Sequence, residues 1–89
     1  MSVKDNPELQ RFEMETEAGV AVADYRRTGD TLTIFHTEVP AALRGRGLGD
    51  KLVRGVLDNV RQRGLKIVPR CWFVSGFVNN HPEYRELVN

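Results

Sequence analysis

Cysteine, histidine and tryptophan are almost missing from this chain: its 89 residues include one cysteine, Cys71, two histidines, His36 and His81, and one tryptophan, Trp72. A single thiol excludes an intramolecular disulfide, and with two distant histidines it leaves no ligand set of zinc-binding spacing, so no metal is expected. Nor is there an apolar run near the roughly 20 residues that cross a bilayer, so no membrane partner is expected. The opening MSVKDNPELQ is polar and partly acidic, without the pattern of a signal or transit peptide, and the expected compartment is the cytoplasm. It reads as a flexible polar leader, residues 1–10, ahead of a single domain over 11–89.

An excess of charge of one sign is missing too, with 13 Lys and Arg against 12 Asp and Glu. The balance conceals a segregation. Residues 1–40 carry four basic and eight acidic side chains, whereas residues 41–70 carry eight basic and two acidic ones. The middle of the chain therefore suits an anion. No aromatics interleave Arg54, Arg61 and Arg63, so these read as the wet face of a helix and nucleic acid is not an expected partner.

Period-two alternation of Phe12, Met14 and Thr16 against three glutamates predicts a strand, followed by a second over residues 20–27 and a third over 31–39, with short turns between them. Pro40 stops the third. From Leu48 the apolar period changes to that of a helix, through Leu52, Val53, Val56, Leu57 and Val60, with Gly64 just past its end. A short strand over 65–71 and a helix running to about Asn80 follow, with a final turn after Pro82. Phe73, Val74, Phe77 and Val78 form the apolar face of that helix, and Trp72 is also read as core. The order β-β-β-α-β-α is an α+β mixed sheet, an antiparallel meander followed by β-α-β-α with a parallel strand pair.

The stretch PAALRGRGLGDKL at 40–52 sits between strand and helix. Gly45, Gly47 and Gly49 remove Cβ atoms where a ligand would approach the unpaired N–H groups of a helix start, and Arg44 and Arg46 add phosphate donors. A Walker loop would require Lys and Ser or Thr after Gly49, where Asp50 and Lys51 stand, and a dinucleotide fingerprint would require glycine at 50. Neither fits.

The spacing Arg44-x-x-Gly47-x-Gly49 after a strand and before a helix resembles the pyrophosphate loop of the GNAT superfamily of acetyl-CoA-dependent N-acetyltransferases. HTEVP at 36–40, RGRGLGDKLV at 44–53, VPRCWFV at 68–74 and NHPEY at 80–84 extend the likeness over about residues 12–88. Together they resemble the short stand-alone GNAT-like proteins of the YjdJ type. The resemblance implies a minimal GNAT fold that binds acetyl-CoA or coenzyme A. It places the pyrophosphate on backbone N–H groups of Arg46, Gly47, Leu48 and Gly49 beside Arg44, and the pantetheine on backbone of Thr37, Glu38 and Val39, with the second helix bordering its channel. It also implies that Cys71 is the candidate thiol. The covering elements of larger relatives are missing, so the acceptor site is expected to be open.

Transfer to a primary amine is the expected activity, either directly or through Cys71, and coenzyme A binding without turnover is the alternative. His36 is read first as a half-buried structural histidine and second as a base, with Glu38 on the same strand face if the strand is regular. His81 and Tyr84 are expected to cap and pack the chain end. The acceptor partner implied is a peptide, a protein lysine or a polyamine, and the assembly a monomer or weak homodimer.

Overall fold

The alternation of Phe12 and Met14 with charged neighbours does form a strand, but it is the second of five in the computed structural model, which describes residues 2–89. The strands are β1 (Val3–Asn6), β2 (Arg11–Thr16), β3 (Gly19–Thr28), β4 (Thr31–Glu38) and β5 (Lys66–Pro69). The helices are α1 (Leu48–Gln62) and α2 (Trp72–Asn80), with 3-10 turns at Ala41–Leu43 and Pro82–Leu87. One sheet holds all five strands in sequence order, antiparallel except for the parallel pair β4–β5 that α1 connects. The α+β mixed sheet with its parallel pair is as expected.

All six apolar positions of the α1 stripe, Leu48, Leu52, Val53, Val56, Leu57 and Val60, are buried. They share one core with Phe12, Met14, Ile34 and Ile67 of the sheet and with Val74, Phe77 and Val78 of α2. Both helices thus cover the same sheet face. The other face, bearing Glu15, Val20, His36 and Glu38, is open to solvent. At the far end of α1, Gly64 takes φ 67°, the left-handed turn that ends a helix.

The flexible leader expected over residues 1–10 is corrected over Val3–Asn6, which pairs with Arg11–Met14. Three contacts hold it. Val3 lies against Gly55 in the middle of α1, so closely that a Cβ on Gly55 would stand 2.8 Å from that of Val3. Asp5 accepts hydrogen bonds from the Tyr25 hydroxyl at 2.7 Å and from Arg63 at 2.8 Å. Only one side chain of the four is apolar, which is why local pattern reads the segment as a leader. The strand depends on partners far away in the sequence.

Within β3–β4, Asp24 pairs with His36 and Tyr25 with Ile34, so Phe35 is an extra residue, a β-bulge. Before it Leu32 and Ile34 face the core. After it Thr37 does, opposite buried Ala23, while His36 and Glu38 face outward. The parallel ladder with β5 ends at Ile34↔Pro69. The Ile34 carbonyl accepts from both Arg70 N at 2.9 Å and Cys71 N at 3.1 Å, after which the chain turns into α2. From Phe35 to Glu38 β4 has no strand partner on that side among the described residues.

Gly55→Ala gives a test whose sign is informative. Alanine in place of glycine at a contact-free position inside a helix would stabilise by about 1 kcal/mol, but here the overlap with Val3 outweighs that gain, and a net loss of roughly 1–2 kcal/mol is expected in urea denaturation. A second expectation concerns Tyr25. Burial, the hydrogen bond to Asp5 and the Asp5 charge push its phenol up to about 12 from 10.0. The native state therefore favours the neutral phenol. That contribution is whole below pH 10 and is lost as pH rises through 12, so the urea midpoint should fall across this interval. In Tyr25→Phe the midpoint should start lower at pH 8 and fall less.

Candidate functional site

Pro40 ends the meander and leads through Ala41–Leu43 into the glycine and arginine loop, with Arg44 extended. Gly47 is the N-cap of α1 at φ 77°, and no side chain among the described residues caps the helix. Gly45 is also left-handed, at φ 82°, and nothing lies within 4 Å of where a Cβ would project from either glycine. The loop thus offers the first-turn N–H groups of α1 an open approach, the arrangement that suits an anion. Arg44 and Arg46 are exposed beside it: Arg44 Nε is 3.4 Å from the Val39 carbonyl, and Arg46 is 3.9 Å from Glu17. A cleft of ≈ 280 Å³ opens here, lined by Val39, Arg44, Gly45, Gly47, Gly49 and Phe73.

Gly49 departs from its expected use. A Cβ there would meet the Phe73 ring, with Cζ at 2.7 Å, so its missing side chain accommodates an aromatic of α2 rather than a ligand. Leu48 contributes only backbone to the loop, since its side chain is buried. Phe73, read as core, is 44% exposed and forms a wall of the cleft. Trp72, also read as core, is corrected outright: it is 94% exposed. At about 100° per residue Trp72 lies roughly 200° around the helix from Val74, away from the buried stripe.

Cys71 is the N-cap of α2 and half-buried, packed against the core. Its Sγ is 3.5 Å from Thr37 Oγ1 across the unpaired end of β4. Burial pushes the thiol up, but hydrogen bonds from the Thr37 hydroxyl and the backbone N–H groups of Val74, Phe73 and Thr37 outweigh it and hold the thiol below its ordinary value. The thiolate form is thus favoured by donors from Thr37 of β4 and from the start of α2. A second cleft, of ≈ 450 Å³, reaches Cys71 between Arg70, Trp72 and Asn79.

His36 is exposed rather than half-buried, and its Nε2 is 3.3 Å from Glu38 Oε1. The pair does share a face, because the bulge precedes both residues. No hydrogen bond or ion pair among the described residues joins either of them to Cys71: base candidates and thiol lie on opposite faces of β4. The signal for this was present in the alternation. An unbroken strand continuing from Leu32 and Ile34 would turn His36 and Glu38 toward the core, and burying that carboxylate is costly. The Thr37 hydroxyl beside Cys71 is not read from the pattern, whereas the Phe73 wall agrees with the expectation that the second helix borders the channel.

Tyr84 donates to Asp58 at 2.7 Å and lies under the guanidinium of Arg61, 4.8 Å from its ring centroid. Burial, the hydrogen bond to Asp58 and the Asp58 charge raise its phenol. His81 stacks on Phe77 at 4.0 Å. Both residues pack the chain end onto the helices, as expected of them.

A four-strand meander, an uncapped glycine loop, a helix and a diverging parallel strand, in this order, define an acetyltransferase domain. The family model for GCN5-related N-acetyl-transferases matches residues 11–87. Protein NATD1 of Danio rerio is 39% identical over 71 residues, covering 76% of this chain and 64% of that protein. Protein NATD1 of Homo sapiens is 38% identical over 63 residues, covering 70% and 56%. The chain therefore spans about three fifths of the length of these curated relatives. The solution structure of a GCN5-like protein from Staphylococcus aureus superposes with a TM-score of 0.73 at 26% identity, over 99% of this chain and 87% of that one. The chain belongs to the GCN5-related N-acetyltransferase family, whose members generally use acetyl-CoA. No helix among the described residues is long and apolar enough to cross a membrane.

The two loop glycines differ in what they require, and melting curves should separate them. Gly47→Ala forces a Cβ into left-handed backbone and is expected to lose roughly 1–2 kcal/mol. Gly49→Ala should change stability by less than about 1 kcal/mol, since the half-exposed Phe73 ring can swing aside and alanine favours the helix.

Proposed function

We propose that this chain transfers an acetyl group from acetyl-CoA to a primary amine, with Cys71 as the residue that carries the acetyl group between them. The observation that supports this best is the open, uncapped start of α1 at Gly47, whose cleft reaches Val39 just beyond β4 and Phe73, two residues past Cys71. The residues fit the ligand: Gly45 and Gly47 leave a cradle that a Cβ would fill, Arg44 and Arg46 supply phosphate donors, and Phe73 with Val39 gives the cleft an apolar side. Bound acetyl-CoA would supply the acetyl group as a thioester.

The N–H groups of Arg46, Gly47, Leu48 and Gly49 hold the pyrophosphate. Backbone of Thr37, Glu38 and Val39, beyond the last pair with β5, accepts an extended pantetheine as a strand edge accepts a strand. The Cys71 thiolate attacks the thioester carbonyl carbon while the Val39 N–H donates to the developing oxyanion. A C–S bond to Cys71 forms, the old C–S bond breaks, and coenzyme A thiolate is released and protonated. A free amine then attacks the acetyl carbon on Cys71, forms the C–N bond, and displaces the Cys71 thiolate. The surplus proton passes to water. On the direct route His36, steadied by Glu38, takes the proton of the incoming ammonium at the outer face.

The acceptor is a peptide, a protein lysine or a polyamine, since the outer face is open and carries Glu13, Glu15, Asp24 and Glu38. Coenzyme A binding without turnover is favoured by one observation: among the described residues no hydrogen bond joins Cys71 to the His36–Glu38 pair.

Intact mass after mixing with acetyl-CoA should reveal an acetyl adduct that is absent from Cys71→Ala. Acetylation of a polyamine or peptide panel by Cys71→Ala at the wild-type rate would place the chemistry on the direct route, and no transfer by either chain would leave a binding module. By calorimetry, Gly47→Val should bind coenzyme A about tenfold or more weakly. Equal affinity would remove the pyrophosphate from the loop.

A further inference from the structure

Cys71 and Thr37 are brought together by two unrelated features of the backbone. Cys71 is fixed by its own main chain: its N–H donates to Ile34 at 3.1 Å and its carbonyl accepts from Ser75 N at 2.9 Å, closing the first turn of α2. Thr37 is fixed by the Phe35 bulge. In an unbroken strand Ile34 and Thr37, three apart, face opposite ways. The extra residue turns Thr37 to the core side, opposite Ala23 and beside the sulfur.

We propose that Thr37 is a positioning residue for Cys71, its hydroxyl donating to the thiolate and aiming the sulfur at the unpaired end of β4 where an acyl group is delivered. This assigns the Thr37 side chain a task separate from that of its backbone, and it rests on the reading that Cys71 takes the acetyl group. Thiol and hydroxyl are 3.5 Å apart, within reach for a hydrogen bond to sulfur. No other side chain hydrogen-bonds the sulfur among the described residues. The remaining donors are the backbone N–H groups of Phe73 and Val74 at the start of α2 and of Thr37 itself, which the side-chain substitutions used below leave in place. Thr37 is therefore the one partner of the thiol that mutation can remove cleanly.

The measurement is the rate of Cys71 alkylation by iodoacetamide as a function of pH, in the free chain, for wild type, Thr37→Val, Thr37→Ala and Thr37→Ser. Valine keeps the shape of threonine without the hydroxyl, and serine keeps the hydroxyl without the methyl. Removing a hydrogen bond to a charged group shrinks the thiolate fraction near neutral pH roughly tenfold, partly offset by the greater nucleophilicity of a more basic sulfur. For Thr37→Val and Thr37→Ala the curve should move to higher pH and the rate at pH 7 fall about threefold, while Thr37→Ser follows wild type. A merely structural role would not sort the variants by hydroxyl. If a folded Thr37→Val or Thr37→Ala titrates as wild type, or if Thr37→Ser shifts as far as alanine does, the proposal is overturned. Alkylation is read without acetyl-CoA, so it fails or holds independently of the thiol route. That route is tested by the acetyl adduct, whose rate of formation should fall in Thr37→Val by a similar factor.

Discussion

Everything in this molecule is arranged around the burial of one helix on one face of one sheet. The stripe from Leu48 to Val60 on α1 meets Phe12, Met14, Ile34 and Ile67, and α2 adds Val74, Phe77 and Val78 to the same core. A chain this short has material for a single core. Because both helices lie on that side, the start of α1, the start of α2 and the end of β4 converge at one rim. The opposite face is left bare. The location of the candidate site is a consequence of where this hydrophobic layer is built.

Charge distribution follows the same division. The basic middle segment places Arg44 and Arg46 at the open start of α1, while much of the acidic first part forms strands whose outward side chains line the uncovered face. A near-neutral total thus contains a cationic rim and a largely acidic face. The two are suited to different ligands, an anion on one and a cation on the other. Fold and charge agree on a site approached from two directions.

Much of this was legible in sequence because it depends on short-range rules. The α1 stripe, the stop at Pro40, the left-handed Gly64 and the place of Cys71 just before α2 follow from periodicity and from what proline and glycine do to backbone. Where the deciding contact lies far along the chain, local reading fell short. Val3–Asn6 looks like a leader because Gly55, Tyr25 and Arg63, which make it a strand, are remote. Gly49 looks like ligand space because Phe73 lies on another helix. Trp72 looks like core by composition, yet its angular position on α2 turns it to solvent.

The Phe35 bulge ties the chemistry of the rim to pairing register rather than to residue identity. Were Phe35 drawn into the ladder opposite Asp24, the strand would still pair with β3, but its faces downstream would exchange. Thr37 would turn away from the sulfur, and His36 and Glu38 would turn toward the core. Loss of the Phe35 codon, by contrast, would give a regular strand in which His36, Thr37 and Glu38 keep their partners and faces. Point substitutions change this site one group at a time, whereas a one-residue slip would swap its two sides at once.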